Sequence, residues 1–151
     1  AIIRVGAPTE VEMIEKKHRI EDALEAVRSA QKEGIVPGGG TTLFKVAGLL
    51  DDISSKLELT NNQQRAVGIL ELALVAPFYR IADNAGYKFS DVNEFDLLRK
   101  ENKGINFLTG EVVDMLDAGV VDPAKVVKNA LRNAISAAGT LLTTNYAIIE
   151  Q

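Results

Sequence analysis

The sequence predicts a mainly α-helical fold with a small β-hairpin and a terminal strand, preceded by one long charged helix. Three observations support this: apolar residues recur at helical spacing over long segments, glycines and prolines fall where those segments end, and residues 104–114 place β-forming residues on both sides of a Thr109-Gly110 turn. A chain of 151 residues fits one ordinary domain. Its hydrophobic fraction of 46% and charged fraction of 25% are typical of soluble globular proteins.

The composition argues against several classes of function. A net charge of -4 does not suit a nucleic-acid-binding surface. Cysteine is absent and His18 is the only histidine, so disulfides, thiolate metal sites and histidine-based catalysis are not expected, and we predict no metal site. The longest apolar run, residues 67–78, is interrupted by Glu71 and is shorter than the roughly 20 residues of a membrane span. The chain opens with Ala1 inside an apolar stretch, which predicts a piece of a longer or processed protein.

The first elements are a short strand and a long arm. Residues 1–6 alternate weakly and predict a strand, and Thr9 with Glu12 forms a capping-box pattern that starts a helix over residues 9–33. Gly34 is placed to end it in the left-handed conformation. Because 12 of these 25 positions are charged, we expect a connecting arm with a narrow apolar stripe. The stripe consists of Met13, Ile20, Leu24 and Val27.

Beyond Gly34 the chain becomes apolar and alanine-rich, which predicts a domain boundary there. A second helix is expected over residues 41–50. A third is expected over residues 61–85, kinked at Pro77 and stopped by Gly86.

The last third of the chain combines a hairpin with a final helix. Ser90 is expected to cap a short helix that ends near Lys100, and residues 104–114 predict the hairpin, although residues 112–118 fit a helix as well. Asp122-Pro123 predicts an N-cap followed by proline at the first helical position, and the tail 143–151 predicts a strand. The predicted buried side of the last helix comprises Val126, Ala130, Leu131, Ala134, Ala138, Leu141 and Leu142.

The segment KEGIVPGGGTT, residues 32–42, is similar to a phosphate-binding loop only in its backbone. Three glycines before a helix can direct N–H groups at an anion. However, Thr41 follows where a Walker loop needs lysine, and no βαβ unit surrounds the loop. From its own residues the loop is best interpreted as a tight, closely packed turn. The alternative is contact with the backbone or the sugar of a ligand.

The acidic residues have simple structural explanations when taken singly. Asp22 lies opposite the apolar stripe, on an outer face with Glu15, His18 and Glu25, as expected for a solvated surface. Asp122 is explained by capping.

Two blocks of residues, in order, are far more specific. They are GAPTEVEMIEKKHRIEDALEAVRSAQKEGIVPGGGTTLFKVA, residues 6–47, and VDPAKVVKNALRNAISAAGTLLTT, residues 121–144. Together they closely resemble the C-terminal part of a group I chaperonin subunit, the bacterial and organellar type. The resemblance implies that residues 1–33 belong to the intermediate domain and residues 34–151 to the C-terminal half of the helical equatorial, ATP-binding domain.

The resemblance also implies roles for single residues. Asp22 matches the catalytic aspartate that polarises the water attacking the γ-phosphate. Gly39 matches a glycine whose backbone meets the ribose side of the nucleotide, and Asp122 matches the acid that accepts the ribose hydroxyls.

The adenine side matches less closely. Asn106 and Phe107 fall where the family contacts the adenine edge, and Val120 where it packs on the base. At residues 106–108, family members usually have Asn-Ala-Ala, whereas this chain has Asn106-Phe107-Leu108. The two bulky side chains are therefore expected to narrow or reshape the adenine edge of the site.

For the whole protein, the resemblance implies an ATP-driven protein-folding chaperonin that uses ATP, Mg²⁺ and K⁺. Most of the metal and triphosphate ligands lie outside this segment, so the segment alone is expected to be inactive. The implied partners are other subunits in a ring, and unfolded proteins and a co-chaperonin through an apical domain. The implied location is the bacterial cytoplasm, or otherwise an organelle matrix. Two alternatives remain: a helical interaction module of chaperonin ancestry without ATPase activity, favoured by Phe107-Leu108, and an unrelated phosphate-binding enzyme, which the missing lysine disfavours.

Overall fold

Four helices and two small sheets make up the elements whose bounds fall in the described part of the chain. The computed structural model describes residues 2–89, Leu98 and residues 102–148. The helices are α1 (Glu10–Glu33), α2 (Thr41–Ser54), α3 (Asn61–Asn84) and α4 (Ala124–Leu142); the strands are β1 (Ile35–Pro37), β2 (Lys103–Asn106), β3 (Glu111–Asp114) and β4 (Val121–Pro123). Strand β1 pairs with β4, and β2 pairs with β3. Among the described residues, no helix has both the length and the apolar character that a membrane span requires.

The chain divides into two compact units, residues 1–34 with 123–151 and residues 35–122. The first unit contains α1 and α4. The second contains α2, α3 and the β2–β3 hairpin.

Helix α1 begins and ends at the predicted residues, but Gly34 has a ψ angle of -171° and therefore a positive-φ conformation other than the predicted left-handed one. The Thr9 side chain accepts a hydrogen bond from the Glu12 N–H (3.3 Å), and Gly34, at φ 81°, donates its N–H to the Ala30 carbonyl (2.7 Å). No residue of α1 is buried, and even Val27 of the predicted stripe is 57% exposed. The helix is therefore largely solvated, which agrees with the expected arm.

The C-terminal end of α1 is joined to the start of α4. The Ala124 N–H donates to the Gly34 carbonyl (3.1 Å), and Lys128 Nζ donates to Glu33 Oε2 (2.7 Å). This hydrogen bond lowers the pKa of Glu33 below its ordinary value of 4.5, and the positive charges of Lys125 and Arg132 act in the same direction.

Replacing Lys128 by alanine is expected to raise the pKa of Glu33 towards 4.5, measured by NMR titration of the side-chain carboxyl. In the wild type, the stability that Glu33 contributes is present above its unfolded pKa and is lost as the pH falls through its lower folded pKa. The variant should lack this loss. Lys125→Ala is the matched control and should shift the pKa less, because Lys125 acts only through its charge. Equal shifts in both variants would contradict the assignment.

Helix α4 differs from the prediction at its start and along its face. Pro123 occupies the N-cap position and makes no side-chain hydrogen bond to the helix. Asp122 belongs to β4, the strand that pairs with β1. No residue of α4 is buried, and Leu142 is 86% exposed. The half-buried positions all lie in its first eight residues, so no described element covers the rest of the predicted apolar side. They are Ala124, Lys125, Val127 and Leu131.

Helices α3 and α2 lie in the second unit, and α2 ends outside its predicted bounds. Helix α3 starts with a capping box between Thr60 and Gln63, a T-x-x-Q pattern that was not among the predicted helix starts. It continues through Pro77 and is followed by Gly86 at φ 66°, close to the predicted end. Helix α2 runs four residues beyond its predicted end, to Ser54.

The core of this unit is rich in aromatic side chains. Three fully buried side chains are in contact: Phe78 on α3, Ile105 on β2, and Leu98. The half-buried hydrophobic side chains that pack against them are Phe44, Tyr87, Phe89, Phe107 and Val112.

The predicted hairpin is confirmed. Strands β2 and β3 pair antiparallel with Ile105 opposite Val112 and Asn106 opposite Glu111, and the alternative helix over residues 112–118 does not form. Gly110, at φ 75°, closes the turn.

Two predicted strands are absent from the described residues. Residues 2–6 and 144–148 adopt neither helix nor strand, because a strand needs a neighbour and none of the four described strands pairs with either segment. The helix predicted from Ser90 to Lys100 lies outside the described residues, except for Leu98.

Candidate functional site

The glycine triplet forms the turn between β1 and α2, and close approach of other backbone segments explains its composition. A Cβ atom on Gly38 would lie 3.2 Å from the carbonyl carbon and oxygen of Val120. On Gly40 it would lie 2.8 Å from the Cα atom of Phe78, and Gly39 and Gly40 have φ angles of 62° and 75°. The packed-turn interpretation is therefore sufficient to explain why all three residues are glycine.

The same turn leaves two N–H groups available. The Gly38 N–H donates to the Val120 carbonyl (2.9 Å), and the Thr41 N–H donates to the Gly38 carbonyl (3.1 Å). The N–H groups of Gly39 and Gly40 have no hydrogen-bond partner among the described residues. Two adjacent free donors at the N-terminus of a 14-residue helix can bind an oxygen atom of a ligand.

Val120 lies directly against this turn. It is half-buried, accepts the Gly38 N–H, and donates its own N–H to the Met115 carbonyl (2.9 Å). The predicted base-packing residue is thus held by backbone hydrogen bonds beside the glycine residues.

Asp122 follows two residues later and is half-buried in β4. Burial raises the pKa of its carboxyl group above the ordinary value of 3.8, because desolvation disfavours the charged form. Its side chain has no hydrogen-bond or ion-pair partner among the described residues. A half-buried carboxylate without a donor is suited to accept hydrogen bonds from hydroxyl groups of a ligand.

Replacing Asp122 by asparagine is expected to stabilise the ligand-free protein at neutral pH. Since its folded pKa is raised, the stability that Asp122 contributes is full below its unfolded pKa and is lost as the pH rises through the folded pKa. The variant should therefore have the higher free energy of unfolding at about pH 7 and little advantage at about pH 3. Urea denaturation across this range measures the difference. A variant that is less stable at neutral pH would show that the carboxylate has a stabilising partner.

The hairpin turn carries the predicted adenine-edge residues. Asn106 Oδ1 accepts the Leu108 N–H (3.1 Å), and its backbone carbonyl accepts the Gly110 N–H (2.8 Å). The Phe107 ring packs in the aromatic core, 5.6 Å from Phe78 between ring centroids, while Leu108 is 96% exposed. Of the two bulky side chains that are expected to reshape the adenine edge, Phe107 thus packs in the core and Leu108 is exposed to solvent.

Asp22 belongs to the other unit. It is exposed on α1, and no ion pair of the described residues includes it, although three neighbouring pairs are formed along the same helix. The pairs are Lys17–Glu21, Arg19–Glu15 and Arg28–Glu25. The Asp22 carboxylate is thus available for another interaction.

A groove of about 530 Å³ lies between α2 and α3, and it includes none of the predicted site residues. It is lined by Phe44, Lys45, Ala47, Gly48, Leu49, Glu71, Val75 and Tyr79.

Comparison with known proteins identifies a family and finds similar solved structures. The model of the TCP-1/cpn60 chaperonin family matches residues 1–151. A solved structure described as the crystal structure of a group III chaperonin in the open state is similar to this chain with a TM-score of 0.77 and 32% identity. The match covers 95% of this chain and 30% of that chain, so this chain spans less than a third of the length of the solved chaperonin.

Proposed function

Because this chain belongs to the TCP-1/cpn60 chaperonin family, we propose that it supplies the ribose and adenine side of the ATP site in an ATP-dependent protein-folding chaperonin subunit. One observation carries the proposal: the half-buried carboxylate of Asp122 has no partner among the described residues, two positions after a residue bonded to the glycine turn. A ribose offers two adjacent hydroxyl donors, which match this acceptor.

The other site residues fit the same ligand. Gly39 would donate its N–H, which has no acceptor in the described part of the chain, to a ribose oxygen, and Val120 would pack on the base. Asn106 and Phe107 would meet the adenine edge through their backbone groups, since the Asn106 Oδ1 atom and the Phe107 ring are engaged within the protein.

Asp22 is proposed as the catalytic residue. A carboxylate that accepts a hydrogen bond from water orients it for in-line attack on the γ-phosphate and accepts its proton as the bond forms. Its exposure supports this role, as does the absence of an ion pair to any described residue, because a paired carboxylate would first have to exchange its partner.

The described residues do not fit a complete metal site. They include no group of three or more histidine, cysteine, aspartate or glutamate side chains that could hold a metal ion. We therefore propose that ligands for Mg²⁺ and K⁺ come from elsewhere in the subunit.

We also propose that residues 1–33 belong to the intermediate domain and residues 34–151 to the equatorial domain. The group I assignment rests on the sequence blocks at residues 6–47 and 121–144, and the solved relative above is described as group III. Other subunits in a ring, client proteins and a co-chaperonin would be the partners, in the bacterial cytoplasm or an organelle matrix.

The interaction module without ATPase activity is less well supported. The bulky Phe107-Leu108 pair favours it, because two large side chains would obstruct adenine binding. However, the Phe107 ring packs against Phe78 in the core, so only Leu108 supports this alternative.

The proposal is tested by nucleotide binding to the full polypeptide that carries this chain. We expect ATP to bind more tightly than 2′,3′-dideoxy-ATP, and Asp122→Asn to reduce this preference by about tenfold, because hydrogen bonds to a charged acceptor are replaced by weaker ones. Asp117→Asn, at an exposed position of the same segment, is the matched control and should leave the preference unchanged. An unchanged preference in Asp122→Asn would refute the ribose assignment.

A further inference from the structure

Met115 is a fully buried residue that directly follows β3 and is not one of the proposed nucleotide-binding residues. Its backbone joins two parts of the second unit. Its N–H donates to the Asn102 carbonyl (2.8 Å), which closes the open end of the β2–β3 hairpin. Its carbonyl accepts the Val120 N–H (2.9 Å), which holds the segment leading into β4.

The side chain of Met115 reaches two further backbone segments. Its Cε atom lies 3.4 Å from the position that a Cβ atom on Gly39 would occupy. Its Cγ and Sδ atoms lie 2.6 Å and 2.8 Å from the corresponding position on Gly104, in β2. The side chain therefore packs against both the glycine turn and the strand that leads to Asn106, where the Ile105 carbonyl oxygen also lies 3.9 Å from the Gly39 Cβ position.

These contacts define a common support. Gly39 stands on the ribose side of the proposed site, Asn106 lies at the end of β2 on the adenine side, and Val120 stands against the base. Met115 touches the turn, the hairpin and the Val120 segment at once. A thioether chain without branching can span this gap, whereas leucine has the same number of heavy side-chain atoms but a shorter reach.

We infer that Met115 is a positioning residue that sets the distance between the ribose side and the adenine side of the nucleotide site. This inference rests on the proposed function. Met115 acts through these two segments: by packing against both, it fixes the hairpin and the glycine turn at the spacing that lets one adenosine bridge them.

The surroundings of Met115 explain why truncation would change this spacing. The Thr41 Oγ1 atom lies 2.6 Å from the position that a Cβ atom on Gly104 would occupy, is fully buried, and has no hydrogen-bond partner in the described part of the chain. Removing the thioether would leave a cavity beside an unpaired hydroxyl. The side chains around such a cavity relax into it, so the hairpin and the turn would no longer be held at one spacing.

The test compares ATP with ribose 5′-triphosphate, which lacks the base, in equilibrium binding to the full polypeptide. The ratio of the two Kd values measures what adenine contributes. Met115→Ala is expected to reduce this ratio by about tenfold, because the adenine edge is displaced from the ribose edge. Met115→Leu should reduce it less, by about threefold, since it retains the contact with Gly104 but loses the Cε atom near Gly39.

Leu74→Ala is the matched control, because Leu74 is buried on α3 in the same unit. A general loss of packing would weaken both ligands alike and leave the ratio unchanged, as we expect for this control. If Met115→Ala does not fold, Met115→Leu decides alone: an unchanged ratio overturns the inference. Failure of the wild type to bind ATP would instead refute the proposed function, so the two failures are distinguishable.

Discussion

Replacement of Asp22 by asparagine is expected to slow ATP hydrolysis by about 10²- to 10⁴-fold in the full polypeptide, the usual contribution of a general base. Asparagine keeps the size of the side chain but cannot accept the proton of the attacking water. ATP affinity should change by less than about threefold, because the role assigned to Asp22 lies in hydrolysis rather than in holding the nucleotide. Single-turnover hydrolysis and equilibrium binding, measured on the same preparation, separate the two effects.

The adjacent residue provides a close control for this experiment. Glu21 is also an exposed carboxylate on α1, and it forms an ion pair with Lys17. Glu21→Gln should hydrolyse ATP at the wild-type rate, because exposed pairs of this kind contribute little. Equal rates for the wild type and Asp22→Asn would remove Asp22 from the mechanism.

Replacement of Gly40 by alanine is expected to lower the free energy of unfolding by about 3 kcal/mol or more, from two causes. The φ angle of 75° is unfavourable for any residue with a Cβ atom. The added methyl group would also lie 2.8 Å from Cα and 2.9 Å from N of Phe78, and these backbone atoms cannot rotate away. Urea denaturation gives the difference directly.

Gly48 is the matched control, because replacing it by alanine involves neither a positive φ angle nor a steric clash. It lies within α2, and a Cβ atom there would have no neighbour within 4 Å. Gly48→Ala should therefore stabilise the protein by about 0.5–1 kcal/mol, the helix-propensity difference. If Gly40→Ala were no more destabilising than Gly48→Ala, close packing would not be the reason for the glycine triplet.

Local signals predicted the elements that depend on neighbouring residues. Thr9 and Gly34 bound α1, Gly86 follows α3, and the Thr109-Gly110 turn lies in the hairpin, because caps and turns are determined within a few positions. The same kind of signal is present at Thr60, where no cap was predicted.

Predictions that depend on distant partners were less successful. The apolar side of α4 is largely exposed, because periodicity shows which face is apolar and not what covers it. Asp122 was expected to cap α4 but lies in β4, since pairing with β1 takes priority over the local Asp-Pro signal. The terminal strands lack a pairing partner among the described residues.

The candidate site shows the same division. Gly39, Val120 and Asp122 came from the family resemblance, and their chemistry is compatible with it. Gly39 has an N–H and Asp122 a carboxylate without a partner among the described residues, and Val120 is held by backbone hydrogen bonds. Met115 had no signal in the sequence, because its importance lies in contacts between segments far apart in the chain. The packing of Phe107 also required the structure, since a bulky residue in a turn can face either way.

The most direct test of the central claim is a structure of the full polypeptide with ATP or a non-hydrolysable analogue bound. We predict that the ribose hydroxyl oxygens lie about 2.5–3.2 Å from the Asp122 carboxylate, within hydrogen-bond distance, with the Gly39 N–H on the same side of the sugar. A nucleotide bound elsewhere, or with its ribose beyond reach of Asp122, would contradict the account.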